Sequence, residues 1–271
     1  MIDTKIDRRS LAGLVLAGLT AAAALLASTG LSAEAGNGGP RSGPRATIVL
    51  VHGAFADGTG WQRVIPLLEG EGYEVIAVQN TLTSLAADVA TTKRVIDAQP
   101  GDVVAVGHSY GGAVITGAAA GNAKVKALVY IAAFAPEAGE PVGAFLERYP
   151  TELGTALRPD SAGFLTVDRA RFRDIFARDV AAGEARVMAA AQKPIMSEAF
   201  ASSVPRAAWK SIPSWYLVAS DDRAINPELE RFYARRMGAT TTEVRSSHVP
   251  FVSRPRQVAK VIDEAARAAA N

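Results

Sequence analysis

The sequence contains no cysteine, and this absence excludes several kinds of chemistry at once. Without thiols the chain can form no disulfide framework, thiolate zinc site or iron–sulfur cluster, and it has no cysteine nucleophile. Histidine is scarce as well, with three residues in the whole chain. The search for a catalytic base is therefore short.

The chain also lacks a strong charge of either sign. Its 29 basic and 27 acidic side chains leave a net charge of +2, so no single-sign field would attract nucleic acid, and no such partner is expected. The length of 271 residues suits one large domain or two small ones. A hydrophobic fraction of 49% with 21% charged residues is typical of a globular protein.

Charged side chains are missing from residues 11–33, which are mostly Ala, Leu and Gly. The segment Arg8-Arg9-Ser10-Leu11 leads into this run, and Ala33-Glu34-Ala35 ends it with the small residues of a processing site. A basic start, an apolar middle and a small-residue exit predict a secretory signal peptide over residues 1–35. The arginine pair resembles the twin-arginine variant of such signals, which exports folded proteins.

The predicted signal indicates an exported protein, periplasmic or extracellular, with no stable membrane association once the signal is removed. The alternative is an uncleaved N-terminal membrane anchor, since an uncharged run of this length can span a bilayer. Residues 36–45 are rich in Gly, Pro, Arg, Asn and Ser and predict a flexible linker. Residues 46–271 then form one domain.

Short apolar runs alternate with longer helical patterns along this domain. Most of the runs lack hydrophobic–polar alternation, as expected of strands that are covered on both faces. The order predicts an α/β fold with a mainly parallel, six-stranded sheet and helices on both faces. The predicted strands are Thr47–His52, Tyr73–Gln79, Asp102–Gly107, Val125–Ala132, Ser214–Ala219 and Thr241–Arg245. The predicted helices are Trp61–Glu69, Ser84–Ala98, Tyr110–Ala120, Pro227–Met237 and Pro255–Ala270.

One interval, at about residues 136–212, interrupts the alternation. It shows no convincing strand pattern, and its helical segments lie near Pro141–Arg148, Asp168–Ala191 and Ser197–Trp209. An insertion of this size late in an α/β sheet predicts a helical cap over the carboxyl ends of the strands. The alternative is a set of extra helices that pack on the side of the domain.

An apolar strand runs directly into a G-x-S-x-G motif, which is followed by a helix of small residues. The motif is Gly107-His108-Ser109-Tyr110-Gly111. Such a turn holds its serine in a strained backbone conformation, and the flanking glycines remove side chains that would clash. The turn also places Ser109 at a helix N-terminus, whose partial positive charge favours a developing oxyanion. We therefore predict that Ser109 is a nucleophile; a helix-capping serine is the alternative.

A serine hydroxyl is a weak nucleophile unless a base accepts its proton. His108 lies beside Ser109 on the wrong side of the turn to reach its hydroxyl. His52 ends the first strand, where we expect it to brace the next loop by hydrogen bonds. His248 follows the last strand, at the edge of the sheet from which a base would approach the turn. We predict that His248 is the base; a buried structural histidine is the alternative.

The acid that orients this base should follow the preceding strand, because there its carboxylate can accept the imidazole N–H and stabilise the imidazolium. Two adjacent aspartates, Asp221 and Asp222, stand at that point. We favour Asp222, which lies further into the loop, while Asp221 would serve the turn or pair with Arg223. Asp221 remains the alternative.

An oxyanion hole needs two N–H donors. The backbone N–H of Tyr110, directly after the nucleophile, is the first, and the second should come from the loop after the first strand. Gly53 lets that chain turn, which leaves the amide of Ala54 free to point inward; Phe55 is the next candidate. Loss of one such donor usually costs about 3–4 kcal/mol of transition-state stabilisation.

These motifs resemble those of the α/β-hydrolase superfamily. The run Val49-Leu50-Val51-His52-Gly53-Ala54-Phe55, with Gly60-Trp61 after it, looks like the opening of that fold. More narrowly, the sequence is similar to the branch that holds plant salicylate methylesterase-type enzymes, hydroxynitrile lyases and many bacterial esterase-like proteins. Gly107-His108-Ser109-Tyr110-Gly111-Gly112 and Ser247-His248 match the same branch. The resemblance covers about residues 46–270, and only the insertion matches loosely.

The resemblance implies oxyanion donors at Ala54 and Tyr110 and no requirement for a metal or an organic cofactor. Departures from the branch narrow the activity. Its hydroxynitrile lyases carry a threonine and a lysine at the positions of Gly53 and Val249, so cyanohydrin cleavage is not expected. Haloalkane dehalogenases and epoxide hydrolases of the superfamily use an aspartate nucleophile. The residue at that position here is Ser109, so neither activity is expected.

The remaining expectation is a carboxylesterase that cleaves small to medium apolar esters through an acyl-enzyme on Ser109. Its expected partner is a small-molecule ester. Fold does not determine function, so a cofactor-free peroxidase or oxygenase and a small-molecule receptor remain alternatives. No residue is assigned to substrate binding, but the apolar candidates are Phe134, Phe145, Leu146, Tyr149, Phe164, Phe172, Phe176, Met188, Met196 and Phe200.

Overall fold

A computed structural model of the protein describes residues 45–270. The predicted signal peptide, over residues 1–35, lies outside these residues, and so does the predicted linker up to residue 44. Within residues 45–270 no helix is both long and apolar enough to cross a membrane.

Six strands form one parallel sheet in the order β2-β1-β3-β4-β8-β9, which confirms the predicted fold class. The strands of this sheet are β1 (Thr47–Val51), β2 (Val75–Val78), β3 (Val103–Ser109), β4 (Val125–Ala133), β8 (Ser214–Ala219) and β9 (Thr240–Val244). Every residue of β1 and β3 is buried, and so is every residue of β4 except Lys126. Their continuous apolar runs therefore follow from coverage on both faces.

Helices of the main domain pack on this sheet. The longer ones are α2 (Leu85–Asp97), α3 (Tyr110–Ala118), α8 (Pro227–Met237) and α10 (Pro255–Ala269), and the shorter ones are α1 (Ile65–Gly70) and α9 (Pro250–Ser253). A 3-10 helix, Gly58–Arg63, precedes α1. Contacts pair α2 with α3 and α1 with α10, and both α3 and α10 pack on the central strands β3 and β4.

Local sequence signals set the ends of these helices. The Ser84 side chain accepts a hydrogen bond from the amide of Ala87 and so caps α2. Asn226 caps α8 in the same way, with Pro227 in the first turn. Gly238 ends α8 at a φ of 62°, a left-handed conformation that favours glycine. These caps satisfy backbone groups that a helix leaves unpaired at its termini.

The segment between β4 and β8 contains strands that the sequence analysis did not predict. Three short strands form an antiparallel sheet in the order β5-β6-β7, with a helix on either side and two between β6 and β7. The strands are β5 (Leu157–Pro159), β6 (Phe164–Val167) and β7 (Ile195–Met196). The helices are α4 (Leu153–Ala156), α5 (Phe172–Phe176), α6 (Ala182–Ala190) and α7 (Glu198–Ala201), and a 3-10 helix spans Ala208–Lys210. The expectation of an insertion built from helices alone is therefore wrong.

The missed strands are too short for a period of two to show in their sequences. A turn from Asp160 to Gly163 joins β5 to β6, and the side chain of Asp160 accepts hydrogen bonds from the amides of Ala162 and Phe164. Gly163 has a φ of 86° in this turn. The sequence does contain one signal for this hairpin, an aspartate followed three residues later by a glycine. The helix expected over residues 168–191 is broken into α5 and α6, and turns replace the one expected near residues 141–148.

Candidate active site

Ser109 lies at the junction of β3 and α3 in a backbone conformation that side chains rarely adopt. Its φ is 52° and its ψ is −123°, so the residue stands in the strained turn that the G-x-S-x-G motif predicts. Strain of this kind persists only where the surrounding structure enforces it, and both β3 and α3 are buried. The turn leaves the serine 6% exposed at the carboxyl edge of the sheet.

Two glycines allow the backbone to approach this closely. A Cβ atom on Gly107 would lie 2.5 Å from the carbonyl oxygen of Gly111, across the turn. A Cβ on Gly53 would lie 2.7 Å from the Cβ of Ser109. Both separations are shorter than real Cβ contacts. The loop after β1 can therefore reach the nucleophile only because residue 53 has no side chain.

His248 and Asp222 form a buried hydrogen bond. The Nδ1 atom of His248 donates to Oδ2 of Asp222 at 2.5 Å, and both side chains are essentially inaccessible to solvent. The other carboxylate oxygen of Asp222 accepts hydrogen bonds from the amides of Ala224 at 2.7 Å and Ile225 at 3.0 Å. These bonds orient the carboxylate, which in turn fixes the proton of His248 on Nδ1 and leaves a lone pair on Nε2.

The neighbouring aspartate faces away from the imidazole. Asp221 accepts a hydrogen bond from Nε of Arg245 at 3.2 Å, and its side chain is 53% exposed. Of the two candidates for the orienting acid, the structure therefore brings Asp222 to His248 and leaves Asp221 at the surface.

The hydroxyl of Ser109 and Nε2 of His248 are not hydrogen-bonded in this structure. Within residues 45–270 the Nε2 atom of His248 is buried and has no hydrogen-bond partner. The rings of His108 and His248 lie 4.6 Å apart, so the base sits against the residue next to Ser109. Bonds between a nucleophile and its base are often long in free enzymes and shorten when substrate binds.

The two other histidines have structural partners. Nε2 of His108 hydrogen-bonds to the carbonyl oxygen of His248 at 2.8 Å, and burial holds the pKa of His108 well below its usual range. His52 hydrogen-bonds through Nδ1 to the carbonyl oxygen of Gly53 at 2.9 Å and accepts from the amide of Asn80 at 3.1 Å. Burial also lowers the pKa of His52. Both residues are therefore neutral braces of the loops around Ser109.

The two predicted oxyanion donors stand at positions that leave their amides available. Ala54 is 4% exposed in the loop after β1, and its amide makes no hydrogen bond within the part of the chain described by the structure. Tyr110 is the first residue of α3, where an N–H has no intrahelical acceptor. Phe55, the other candidate in the loop, has a φ of 61°.

Asp88 holds the side chain of Tyr110 and was not found by sequence reasoning. The Tyr110 hydroxyl donates to Oδ2 of this fully buried carboxylate at 2.9 Å, while the other carboxylate oxygen accepts from the amide of Leu82 at 3.0 Å. Burial, followed by the charge of Asp88, raises the pKa of Tyr110 far above its usual range. The sequence signal for this contact was an aspartate on the buried side of a helix, because a buried carboxylate needs a hydrogen-bonding partner.

Two apolar cavities adjoin these residues, with Phe55 lining both. The larger has a volume of about 290 Å³, and the smaller has about 90 Å³. The larger is lined by Phe55, Phe134, Leu146, Pro150, Thr151, Leu153, Gly154, Leu157, Leu165, Ser197, Phe200 and Ala224. The smaller is lined by Ala54, Phe55, Ala56, Asp57, Thr59, Gly60, His108, Phe172, Phe176, Met188, Ala191, Val249 and Phe251.

Six of the apolar candidates therefore line a cavity: Phe134, Leu146 and Phe200 the larger, and Phe172, Phe176 and Met188 the smaller. Others pack elsewhere, since the rings of Phe145 and Tyr149 both lie against Phe232 of α8.

The insertion also contacts the loop that carries the base. The ring of Phe176 meets that of His248 edge to face, with centroids 4.8 Å apart. The hydroxyl of Ser247 donates to the carboxylate of Asp179. Parts of residues 136–212 therefore lie against the loop that follows β9, at the carboxyl edge of the sheet.

Residues 48–261 match the alpha/beta hydrolase family, and the chain belongs to this family. Among its relatives is an alpha/beta hydrolase, nvfD, from Aspergillus novofumigatus, which is 27% identical over 82% of this chain and 97% of the relative. Methylesterase 8 from Arabidopsis thaliana is 26% identical over 68% of this chain and 75% of its own. This relative confirms the resemblance to the plant methylesterase branch. A crystal structure of a pyrethroid hydrolase superposes with a TM-score of 0.73 at 25% identity and covers 84% of this chain and 99% of its own.

We predict that Asp222→Asn slows the reaction of Ser109 with a serine-directed fluorophosphonate by roughly 10³–10⁴-fold, because an amide no longer fixes the tautomer of His248. Asp221→Asn is the matched control and should react within twofold of the wild type, since the Asp221 carboxylate is exposed and accepts a hydrogen bond from Arg245 at the surface. Labelling rates measured by intact-protein mass spectrometry compare the variants. The reverse order of the two variants would assign the orienting role to Asp221.

Proposed function

We propose that the protein is a serine carboxylesterase that cleaves small to medium apolar esters through an acyl-enzyme on Ser109. The observation that carries this proposal is the buried hydrogen bond between His248 and Asp222, next to a serine held in a strained turn. This arrangement supplies a base with a free lone pair and a nucleophile at a helix N-terminus.

Acylation uses these groups in sequence. The Oγ atom of Ser109 attacks the ester carbonyl carbon, and Nε2 of His248 accepts the hydroxyl proton. The carbonyl oxygen becomes an oxyanion, which the amides of Ala54 and Tyr110 stabilise by hydrogen bonding. When the tetrahedral intermediate collapses, the bond to the alcohol oxygen breaks, and His248 gives its proton to the departing alkoxide.

Deacylation repeats these steps with water in place of the serine. His248 accepts a proton from the water as it attacks the acyl carbon, and the same amides stabilise the second oxyanion. Collapse breaks the bond to Oγ, which takes the proton back from His248 and releases the carboxylic acid. Asp222 stays ionised throughout and stabilises the imidazolium in both half-reactions.

The apolar cavities support an apolar substrate. Both have walls made mainly of aliphatic and aromatic side chains, and free energy is gained when an apolar group leaves water to lie against such walls. Relatives point in the same direction, since they include a pyrethroid hydrolase from Sphingobium wenxiniae at 27% identity and a carbendazim hydrolyzing esterase from Nocardioides. The second relative is 35% identical over 38% of this chain and 48% of its own.

We predict that the purified protein hydrolyses p-nitrophenyl acetate and p-nitrophenyl butyrate, with a higher kcat/KM for butyrate because the longer chain fills apolar space. Ser109→Ala should lower kcat by roughly 10⁵–10⁶-fold. Without the hydroxyl no acyl-enzyme can form, and His248 has no nucleophile to deprotonate. Release of p-nitrophenolate measures both. Ser211→Ala is the control, because Ser211 lies in a turn before β8 outside the two cavity walls.

Equal, slow hydrolysis by the wild type and Ser109→Ala would overturn the esterase proposal. A receptor that binds small molecules without turnover would give that result, and so would a peroxidase or oxygenase whose chemistry does not pass through a serine ester.

We also propose that the chain is exported through the twin-arginine route and cleaved near Gly36. The support lies in the arrangement of basic, apolar and small residues in the sequence. A tagged full chain expressed in a bacterium should appear outside the cytoplasm with its N-terminus near residue 36. Replacing Arg8 and Arg9 with lysine should retain it inside, while Lys5→Arg leaves export unchanged. An uncleaved chain in the membrane fraction would support the anchor instead.

A further inference from the structure

A fully buried glutamate lies behind the orienting acid, and the mechanism above does not use it. Glu230 belongs to α8, the helix that follows the loop carrying Asp222, and its exposed fraction is 0%. Acidic side chains are almost never fully buried without a partner. The partners of Glu230 therefore indicate why a carboxyl group is kept at this position.

The carboxyl group of Glu230 connects the end of β8 to the catalytic loop. Its Oε2 atom accepts a hydrogen bond from the amide of Ala219, the last residue of β8, at 2.9 Å. The charge of Asp222 acts on this group, so the two buried carboxyl groups are neighbours. Its Oε1 atom is buried, and no N–H or O–H group within residues 45–270 donates to it.

Two buried carboxyl groups in contact can share a hydrogen bond only if one of them carries a proton. Asp222 accepts three other hydrogen bonds, from the His248 ring and from the amides of Ala224 and Ile225, and these favour its ionised form. Within residues 45–270 Glu230 accepts one hydrogen bond, from the amide of Ala219. The geometry therefore places the proton on Glu230.

The titratable groups around Glu230 agree with a neutral side chain. Burial, followed by the charge of Asp222, raises the pKa of Glu230 well above its usual range. Arg231 opposes this shift weakly, because its guanidinium is committed to two other carboxylates near the surface. From β8, burial raises the pKa of Tyr216 far above its usual range, and from α8 burial also raises that of Tyr233, so both phenols are neutral. No cation within the described chain is paired with Glu230.

We propose that Glu230 is a positioning residue for the catalytic acid: as a neutral carboxylic acid it donates a hydrogen bond to Asp222 and holds that carboxylate against Nδ1 of His248. Its Oε2 atom accepts the hydrogen bond from the amide of Ala219 and so links Glu230 to the end of β8. The catalytic consequence rests on the proposed esterase function, whereas the protonation state of Glu230 does not.

Glu230→Gln tests the protonation state without any substrate. A glutamine amide can accept from Ala219 and donate to Asp222 as a protonated glutamate does, but it cannot ionise. Glu230→Gln should therefore remove the infrared carbonyl band of a neutral carboxylic acid that the wild type shows at pH 7. Glu228→Gln, which alters an exposed residue on the same helix, should leave that band unchanged.

Thermal unfolding gives a second readout of the same property. A carboxyl group whose pKa is raised in the folded state contributes stability below the unfolded pKa, about 4.3, and loses it as the pH rises. The Tm of Glu230→Gln should therefore be close to that of the wild type at pH 4 and should exceed it increasingly from pH 5 to pH 8. A carbonyl band that persists in Glu230→Gln, or a Tm difference that does not change with pH, would overturn the proposal.

Hydrolysis of p-nitrophenyl butyrate tests the positioning role. Glu230→Met keeps the volume but removes the donor, so kcat should fall roughly 10–100-fold with KM nearly unchanged. The acid limb of its kcat/KM profile should move to higher pH, because a carboxylate with one donor fewer attracts the imidazolium more strongly. Glu230→Gln should restore kcat to within threefold of the wild type and keep the wild-type profile.

A Glu230→Met variant with the wild-type kcat and pH profile would overturn the positioning role, and so would a Glu230→Gln variant that loses as much activity as Glu230→Met. If Glu230→Met does not fold, Glu230→Gln decides the matter with the infrared, Tm and kcat measurements. If the wild type shows no esterase activity, the proposed function fails while the infrared and Tm results still decide the protonation state.

Discussion

The hydrogen bond between His248 and Asp222 depends on most of the structure. Its two residues follow β8 and β9, so the parallel register of these neighbouring strands brings their loops together at the carboxyl end of the sheet. Ser109 is the last residue of β3, and β4 lies between β3 and β8 in the sheet. A strand order that moved β8 and β9 away from β3 would separate the three side chains, although each of them would still lie at the end of a strand or in the loop after it.

Burial strengthens this hydrogen bond, but withdrawing its two polar groups from water costs free energy. An ionised carboxylate and an imidazole withdrawn from water must be compensated by other hydrogen bonds, because an unpaired buried charge is strongly destabilising. Asp222 is compensated by the amides of Ala224 and Ile225, and the insertion covers the imidazole with the ring of Phe176. In the part of the chain that the structure describes, Nε2 of His248 has no competing partner, so its lone pair is available to accept the proton of Ser109.

The parts of the fold that could be predicted from the sequence are those in which the local pattern and the tertiary position agree. β1, β3 and β4 are mainly apolar runs without alternation because both of their faces are covered, and the turn at Ser109 requires glycine where backbones approach closely. The strands β5–β7 escaped prediction because two to four residues carry no measurable period. Asp88 and Glu230 escaped it because each lies on a helix whose sequence does not show which residue of another element it contacts. The sequence could favour Asp222 over Asp221 but could not decide between them. Which of two adjacent side chains points to the imidazole depends on the backbone amides that bind its carboxylate, and the sequence does not show these contacts.

If Ser109 carries the acyl group of the substrate during turnover, that acyl-enzyme can be trapped. The protein would be mixed with p-nitrophenyl butyrate, quenched in acid within milliseconds to seconds, digested and analysed by mass spectrometry. We expect a butyryl group on the peptide that contains Ser109, formed and lost at rates compatible with turnover. Turnover without any acylated peptide, or an acyl group on a different residue, would contradict it.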